Sequence, residues 1–313
     1  MDIKVSIIIV NYNNFHLIND CIASVIKYTK NITYEIIVID NNSNENVEIV
    51  TNKFNNIKLI KNNTNKGFAA ANNQGIKIAK GKYILFLNND TRFTENSIKN
   101  VFEFAELQNQ SVMVGCRLLN LDGSFQESVM NFPSIWNTIT DSFFLSKIFR
   151  KSILFNKNAY SFRNLNSPIE VDVIKGAFMF CNSDSVKKLN MFDERFFFYS
   201  EELDLCYRFK LSGGKVYYYP FASIIHIGGA TVRKKEKFFY KNQFIARIQF
   251  YQKHFKGLRF TIIVLAYIFG VLIRVPLYFI FGFFSLNKNY IKKSGYYIYQ
   301  LSNYPKNLFA NDK

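Results

Sequence analysis

Of its 313 residues this chain spends three on histidine, one on tryptophan and four on cysteine. The cysteines (Cys21, Cys116, Cys181, Cys206) form no CxxC pair, and a chain this long needs no staples. They read as reduced thiols of a cytosolic compartment. Acidic residues are scarce, 23 Asp+Glu against 40 Lys+Arg, for a formal charge of +17. Such an excess calls for an acidic partner: nucleic acid, a nucleotide or an anionic membrane surface. The first apolar run, Val5–Val10, is six residues long and is followed at once by Asn11-Tyr12-Asn13-Asn14. It is too short for a secretory signal. The same four residues stand where a dinucleotide-dependent oxidoreductase needs a GxGxxG turn, which excludes that class. No internal repeat or low-complexity block is present.

What is present is a βα rhythm. Val5–Val10 is β-branched and unbroken, which suits a strand buried on both faces. Asn13 and Asn14 are placed to cap a helix with Leu17, Cys21, Val25 and Tyr28 on one face. Strands follow at 35–40, 57–60 and 83–87, with helices at 68–79 and 94–108. This pattern predicts an α/β fold with a mostly parallel sheet flanked by helices. Ligands of such sheets bind beyond the carboxyl ends of the strands, which singles out Asn11–Tyr12, Asp40–Ser43 and Asn88–Asp90. Residues ~120–170 carry a weak pattern with one helix near 135–149. A strand is expected at 171–181, helices at 184–189 and 201–211, and a strand at 215–219.

After residue 232 the composition changes. Between Arg233 and Arg259 nine Lys/Arg face one acidic residue, Glu236. Phe244, Ile248, Tyr251 and Phe255 recur at helical spacing, so 233–259 reads as a basic amphipathic helix. The apolar stretch 260–286 is interrupted by Arg274 and Pro276. A clean span takes roughly 20 apolar residues, and a mid-membrane Arg costs on the order of 3 kcal/mol. A re-entrant hairpin or in-plane insertion is therefore expected there, with a tail at 287–313. A buried core helix pair is the plainer alternative. Lys288, Lys292 and Lys293 put basic residues on both flanks, which suits the cytoplasmic face of a membrane.

Several residues carry chemistry. Asp40 and Asp90 each close a buried strand. Either alone is commonly a turn or cap residue, but two at neighbouring strand ends point to a ligand site. His226 precedes Gly228-Gly229, where the backbone can approach an anion. A His and an Asp suit a divalent cation whose other ligands are diphosphate oxygens. Glu201, Glu202 and Asp204 crowd one helix start. Glu201 and Asp204 suit the helix dipole, and Asp204 can pair with Arg208 at i,i+4. Glu202 has no such partner and is a candidate general base.

Seven segments in register carry a family resemblance: VSIIIVNYN (Val5–Asn13), IIVIDNNS (Ile36–Ser43), NKGFAAANNQGI (Asn65–Ile76), GKYILFLNND (Gly81–Asp90), KGAFMF (Lys175–Phe180), FDERFFFYSEELDLCYR (Phe192–Arg208) and IIHIGGAT (Ile224–Thr231). The chain resembles the family two glycosyltransferases of GT-A fold, in the rhamnosyltransferase-like branch that acts on bacterial surface polysaccharides. The resemblance implies a GT-A domain over 1–232 and an inverting transfer from a dTDP- or UDP-sugar to a lipid-linked or oligosaccharide acceptor. It implies that Asp40 receives the base N3–H, that Val10, Asn11, Tyr12 and Asn89 line the nucleoside, and that Asn65, Gly67 and Asn73 lie against nucleoside and phosphates. Asp90 and His226 would hold Mg²⁺ or Mn²⁺. Asn88, Lys175, Gly176 and Arg233 would face the donor sugar and diphosphate, with Arg233, Lys234 or Lys235 closing as a lid. Glu202 would be the base, with Glu201 as substitute and Asp204 and Arg208 structural. Two departures stand out: Asn88 replaces the first carboxylate of the DxD-type element, and Glu202 stands where Asp is usual. The implied partners are a nucleotide-sugar, an acceptor and an anionic membrane, and no nucleic acid. A silent GT-A scaffold and a basic nucleic-acid-binding protein are the alternatives. No Q-x-x-R-W element of a processive synthase occurs.

Overall fold

The computed structural model describes residues 2–149, 152, 154–155, 165–228 and 236–308. The chain divides into two compact units, 1–130 with 163–233, and 131–162 with 234–313. The boundary expected near 232 lies outside the described residues, and residues 131–162 group with the C-terminal unit rather than with the first 130 residues.

The first unit holds β1 (Val5–Asn11), α1 (Phe15–Tyr28), β2 (Tyr34–Asp40), α2 (Glu48–Thr51), β3 (Ile57–Lys61), α3 (Phe68–Ile78), β4 (Tyr83–Asn88), β5 (Thr91–Phe93), α4 (Ser97–Glu106), β6 (Val112–Leu119), β7 (Phe125–Gln126) and β8 (Val129–Met130). After the excursion of the second unit, which supplies α5 (Ile135–Ser142) and α6 (Leu145–Ile148), it resumes with β9 (Ile169–Glu170), β10 (Val173–Ile174), β11 (Phe178–Asn182), α7 (Ser183–Lys188), α8 (Glu201–Leu211) and β12 (Lys215–His226). The main sheet runs β3-β2-β1-β4-β11-β6-β12-β5. Its first four strands are parallel, as the rhythm predicts. β11 then lies antiparallel to both β4 and β6, so the sheet is mixed. Strand order reverses between β1 and β4, and their carboxyl ends therefore border the crevice where ligands of such sheets bind.

Both faces of β1 are buried. Val5, Ile7 and Ile9 join one core with Ile18, Ile22 and Val25 of α1 and Ile98 and Val101 of α4. Ile8 points the other way, where α3 comes so close that a Cβ on Gly75 would sit 2.7 Å from the Ile8 side chain. The expected Asn cap of α1 is absent: Asn14 is the N-cap residue, but its side chain makes no capping bond. The strand expected at 171–181 is two strands parted by the turn 175–177. The strand expected to stop at Tyr219 continues to His226, because a register shift between Tyr219 and Ser223 absorbs Pro220, which has no N–H to give.

The second unit adds α9 (Glu236–His254), α10 (Gly257–Phe284) and α11 (Lys288–Leu308). Two expectations are corrected here. Residues 260–284 are one continuous helix, with no break at Arg274–Pro276, and the expected tail is helical. α11 returns antiparallel along α10: Tyr267 Oη donates to Gln300 (2.9 Å), Ser294 Oγ donates to the Val275 carbonyl (2.9 Å), and Gly282 packs against Ile291. Arg274 is accommodated because its guanidinium donates to the Asp141 and Ser142 carbonyls at the carboxyl end of α5 and lies over the Phe144 ring at 4.7 Å. α9 is not one-faced: Ala246 and Phe250 are buried along with Phe244, Ile248 and Tyr251.

At the opposite end of the sheet, Glu35 on β2 is buried and receives Ser6 Oγ (2.6 Å), the Lys80 N–H (2.8 Å) and Lys58 Nζ (2.6 Å). Burial raises its pKa, but these donors outweigh burial and hold it below its ordinary 4.5. A depressed carboxylate stabilises the fold fully above its unfolded value, and loses that contribution as pH falls through the folded value. Glu35→Ala should therefore cost about 2 kcal/mol at pH 7 by urea unfolding. The difference should shrink as pH falls below 4.5; a loss undiminished in acid refutes this role.

Candidate active site

The carboxyl edge of the sheet is organised by amides. Asn11, 1% exposed at the end of β1, donates through Nδ2 to Asp40 Oδ1 (3.0 Å) and Ser43 Oγ (3.1 Å). It accepts from Asn89 Nδ2 at 2.9 Å. Ser43 gives Asp40 its hydroxyl (2.6 Å) and its N–H (3.1 Å). Asp40 Oδ2 thus accepts only the Ser43 N–H among these bonds, and a carboxylate oxygen has room for a second donor. One side-chain chain therefore joins the ends of β1, β2 and β4.

The loop before α3 is held from the same edge. Asn41 donates to Asn65 Oδ1 (2.8 Å) and to the Gly67 carbonyl (3.1 Å), and accepts from the Lys66 N–H (3.0 Å) and Asn62 Nδ2 (3.1 Å). Gly67 has φ +85°, and a Cβ there would stand 2.5 Å from the Phe197 carbonyl oxygen, so only glycine fits. Asn65 lies in this loop, receiving the Gly67 N–H at 2.9 Å. Asn73 corrects an expectation. It is buried, and its amide is committed to the Phe192 N–H (3.0 Å), the Phe192 carbonyl (2.9 Å) and Glu194 (2.9 Å). It locks α3 to the segment before α8 rather than facing a ligand. Val10 and Tyr12 flank Asn11 and are partly exposed.

Asp90 follows β4, and His226 ends β12. Pairing of His226 with Thr91, and a bond from the Ile227 N–H to the Asp90 carbonyl (2.9 Å), bring them together. His226 Nε2 lies 3.3 Å from Asp90 Oδ1 and 3.5 Å from Asn88 Nδ2. Its Nδ1 lies 2.6 Å from Gln126 Oε1. Gln126 is oriented in turn: its Nε2 donates to the His226 carbonyl (3.1 Å) and to Asn120 Oδ1 (2.9 Å). An oriented Oε1 can only accept, so Nδ1 carries a hydrogen, and in the neutral ring Nε2 is left with its lone pair. That lone pair faces a carboxylate at 3.3 Å. Two acceptors so placed call for a proton or a cation between them. Among the described residues no group of three or more His, Cys, Asp or Glu side chains gathers as a metal cage. Gln126 was missed by sequence reasoning, because it lies outside every quoted motif and on a two-residue strand.

The turn after β10 connects this edge to α8. The Asn88 N–H bonds the Ala177 carbonyl at 3.1 Å, and a Cβ on the preceding Gly176 would meet only Glu202 Cβ, at 3.9 Å. Lys175 pairs with Glu127 at 3.3 Å and lies close enough to Glu202 to favour its charged form. Two consecutive left-handed residues, Tyr199 (φ 78°) and Ser200 (φ 65°), turn the chain into α8. Such backbone costs on the order of 1–2 kcal/mol per residue and clusters at functional sites. It delivers Glu201 and Glu202, each with a buried Oε2 that has no hydrogen-bond partner. Burial pushes both pKa values up. The Glu202 charge adds to the rise at Glu201, whereas backbone N–H groups and Lys175 partly offset it at Glu202. Asp204 is fully buried and receives Arg208 Nε at 2.8 Å, while Arg208 also holds the Leu189 (2.6 Å) and Met191 (2.8 Å) carbonyls. The four cysteines are free and buried, and burial drives Cys21 and Cys206 to about 12, so they are poor nucleophiles. Arg233, Lys234 and Lys235, expected as a lid, lie outside the described residues.

Two acidic strand ends, a histidine over one of them and a buried carboxylate on the adjoining helix thus gather at the carboxyl edge of an α/β sheet. The chain belongs to glycosyl transferase family 2, whose model matches residues 6–184. It is 28% identical over 180 residues to the poly(ribitol-phosphate) beta-N-acetylglucosaminyltransferase TarP of Staphylococcus aureus, covering 53% of this chain and 54% of that one. It is 27% identical over 201 residues to the rhamnosyltransferase WbbL of Escherichia coli K12, covering 62% and 72%. It is 35% identical over 116 residues to the Escherichia coli UDP-Glc:alpha-D-GlcNAc-diphosphoundecaprenol beta-1,3-glucosyltransferase WfgD, covering 36% and 46%. The chain thus spans about half the length of the first of these relatives. Among solved structures, S. aureus TarS superposes with a TM-score of 0.52 at 16% identity, over 79% of this chain and 39% of that one. GalNAc-T7 with UDP, GalNAc and Mn²⁺ superposes at 0.55 and 15%, over 85% and 54%. Both likenesses concern the fold.

Gln126 should set the imidazole tautomer. In metal-free protein at pH 8, ring ¹⁵N signals should show His226 protonated at Nδ1 and bare at Nε2. Gln126→Leu should convert this to a mixture or to the Nε2–H form. A wild-type ring protonated at Nε2 contradicts the assignment.

Proposed function

We propose that this chain is an inverting, metal-assisted glycosyltransferase. It would move a sugar from a UDP- or dTDP-sugar to a hydroxyl of a lipid-linked or oligosaccharide acceptor in surface polysaccharide synthesis. The observation that carries this reading is the unpartnered Oε2 of Glu202, buried beside Gly176 on the turn that is bonded to the end of β4. A buried carboxylate oxygen with no donor is costly unless a ligand proton comes to it.

Asp40, with a free position on Oδ2, would receive the pyrimidine N3–H, and Val10, Asn11 and Tyr12 would border the nucleoside. Asp90 and the bare Nε2 of His226 fit a divalent cation such as Mg²⁺ or Mn²⁺, its remaining oxygens coming from the diphosphate. When bound, that ion neutralises charge on the leaving group. Lys175 and the open Gly176 would border the donor sugar. Glu202 would take the acceptor proton as the hydroxyl attacks the anomeric carbon opposite the diphosphate. Glu201 is less suited, because burial and the neighbouring charge both oppose its ionisation. The relatives' names carry N-acetylglucosamine, glucose and rhamnose, so the part their names share is sugar transfer. WfgD, by its name, uses a diphosphoundecaprenol-linked acceptor, which favours a lipid-linked acceptor at the cytoplasmic face of the membrane here.

A general base works deprotonated, and Glu202 is raised by burial, so activity should fall on the acid side at a pH above the ordinary carboxylate value of 4.5. Glu202→Gln should lower transfer by roughly 10²–10⁴-fold while leaving the melting shift given by UDP with Mn²⁺ intact. Asp90→Ala should abolish the Mn²⁺-dependent part of that shift. Full turnover in Glu202→Gln would sink the proposed role.

A further inference from the structure

α10 leaves a long apolar face uncovered. Leu258, Leu265, Leu272 and Phe279 stand seven residues apart and are 75, 59, 51 and 55% exposed. Phe269 and Phe283, 50 and 65% exposed, and Pro276, also exposed, form a second row beside them. Residues 25 positions apart on a helix are about 38 Å apart, so the stripe runs the length of the helix. Phe143 of the same unit, also exposed, extends it sideways with its ring 5.4 Å from Phe269. The other side of α10 is closed by α11 and by the end of α5, and there Arg274 is tied to the Asp141 and Ser142 carbonyls. The charge in the middle of the apolar helix, Arg274, thus lies off the stripe and fixes which side of α10 is presented.

We propose that this stripe is seated in the plane of an anionic lipid bilayer, one side in the acyl layer and the helix axis parallel to the surface. Charge names the occupant. Residues 234–313 carry fourteen Lys/Arg and two acidic residues, so they hold twelve of the chain's seventeen excess positive charges. Lys256 and Arg259 stand at one end of α10 and Lys288, Lys292 and Lys293 beyond the other, where they would meet anionic headgroups. A second copy of the chain would bring a second cationic unit against the first. A spanning pose fails on the covering helix: α11 lies along α10 with Lys292, Ser294 and Gln300 in its length, and all would enter hydrocarbon. This surface rests on the transferase reading only in naming the phase that presents the acceptor.

The test uses the full chain and needs neither donor nor acceptor, so its failure leaves the transferase reading standing. Phosphatidylcholine vesicles containing phosphatidylglycerol should bind it at least about tenfold more tightly than phosphatidylcholine alone, with loss at high salt. Leu265→Asp/Leu272→Asp, at exposed positions, should weaken binding by about a hundredfold without lowering the melting temperature. The four native cysteines are buried, so single Lys256→Cys and Lys288→Cys variants report on topology. On closed vesicles both should react fully with a membrane-impermeant maleimide added outside. Labelling of one end only would establish a span and overturn the proposal. So would vesicle binding untouched by the double substitution, or a lipid-independent dimer that the double substitution dissolves.

Discussion

The Asn11 side chain holds the site together. It is buried at the end of the central parallel strand, takes one hydrogen bond from Asn89 and gives one to Asp40. Through it the ends of three strands acquire a fixed spacing. A neutral amide suits this position because it donates and accepts at once, whereas a carboxylate would face Asp40 with like charge. Asn41 repeats the device one strand over, donating to the Asn65–Gly67 loop and accepting from Lys66 and Asn62. The result is a rigid acceptor-rich edge, with the flexible chemistry left to residues that follow it.

The parallel half of the sheet was legible because Val5–Val10, Glu35–Asp40 and Tyr83–Leu87 are buried on both faces and their sequences say so without alternation. The strand ends were legible for the same reason: the apolar run stops at an Asn or Asp. Gln126 was not, since a two-residue strand has no period to read and its role exists only through His226. Asn73 misled because its motif placed it near a ligand, while its amide is consumed by a segment 119 residues away. The break expected at Arg274–Pro276 followed from treating the stretch alone. A guanidinium can remain in an apolar helix when another helix end supplies carbonyls, and those of α5 lie more than 130 residues upstream.

The two departures from the family pattern have physical readings in the folded chain. Asn88 stands where a carboxylate is usual, and its Nδ2 lies 3.5 Å from Nε2 of His226. A second carboxylate there would add a charge beside Asp90, which at such distances costs about 1–4 kcal/mol before any cation arrives. The amide instead offers a donor to the imidazole lone pair. It lowers the charge available to a cation and at the same time lowers the strain of the crevice without one.

Glu202 trades in the opposite direction. Its extra methylene carries the carboxylate about 1 Å further than Asp would, and Gly176 opposite leaves room for that reach, with no neighbour closer than the Glu202 Cβ. The cost falls on ionisation, because Glu201 occupies the adjacent position with its own buried oxygen. Two acids whose ionisation burial opposes, side by side at the start of α8, would be expensive as ornament, since an Ala at either position would relieve both. They stand beside a strained turn, Tyr199–Ser200, and strained backbone and buried acids of this kind cluster where a site does chemistry.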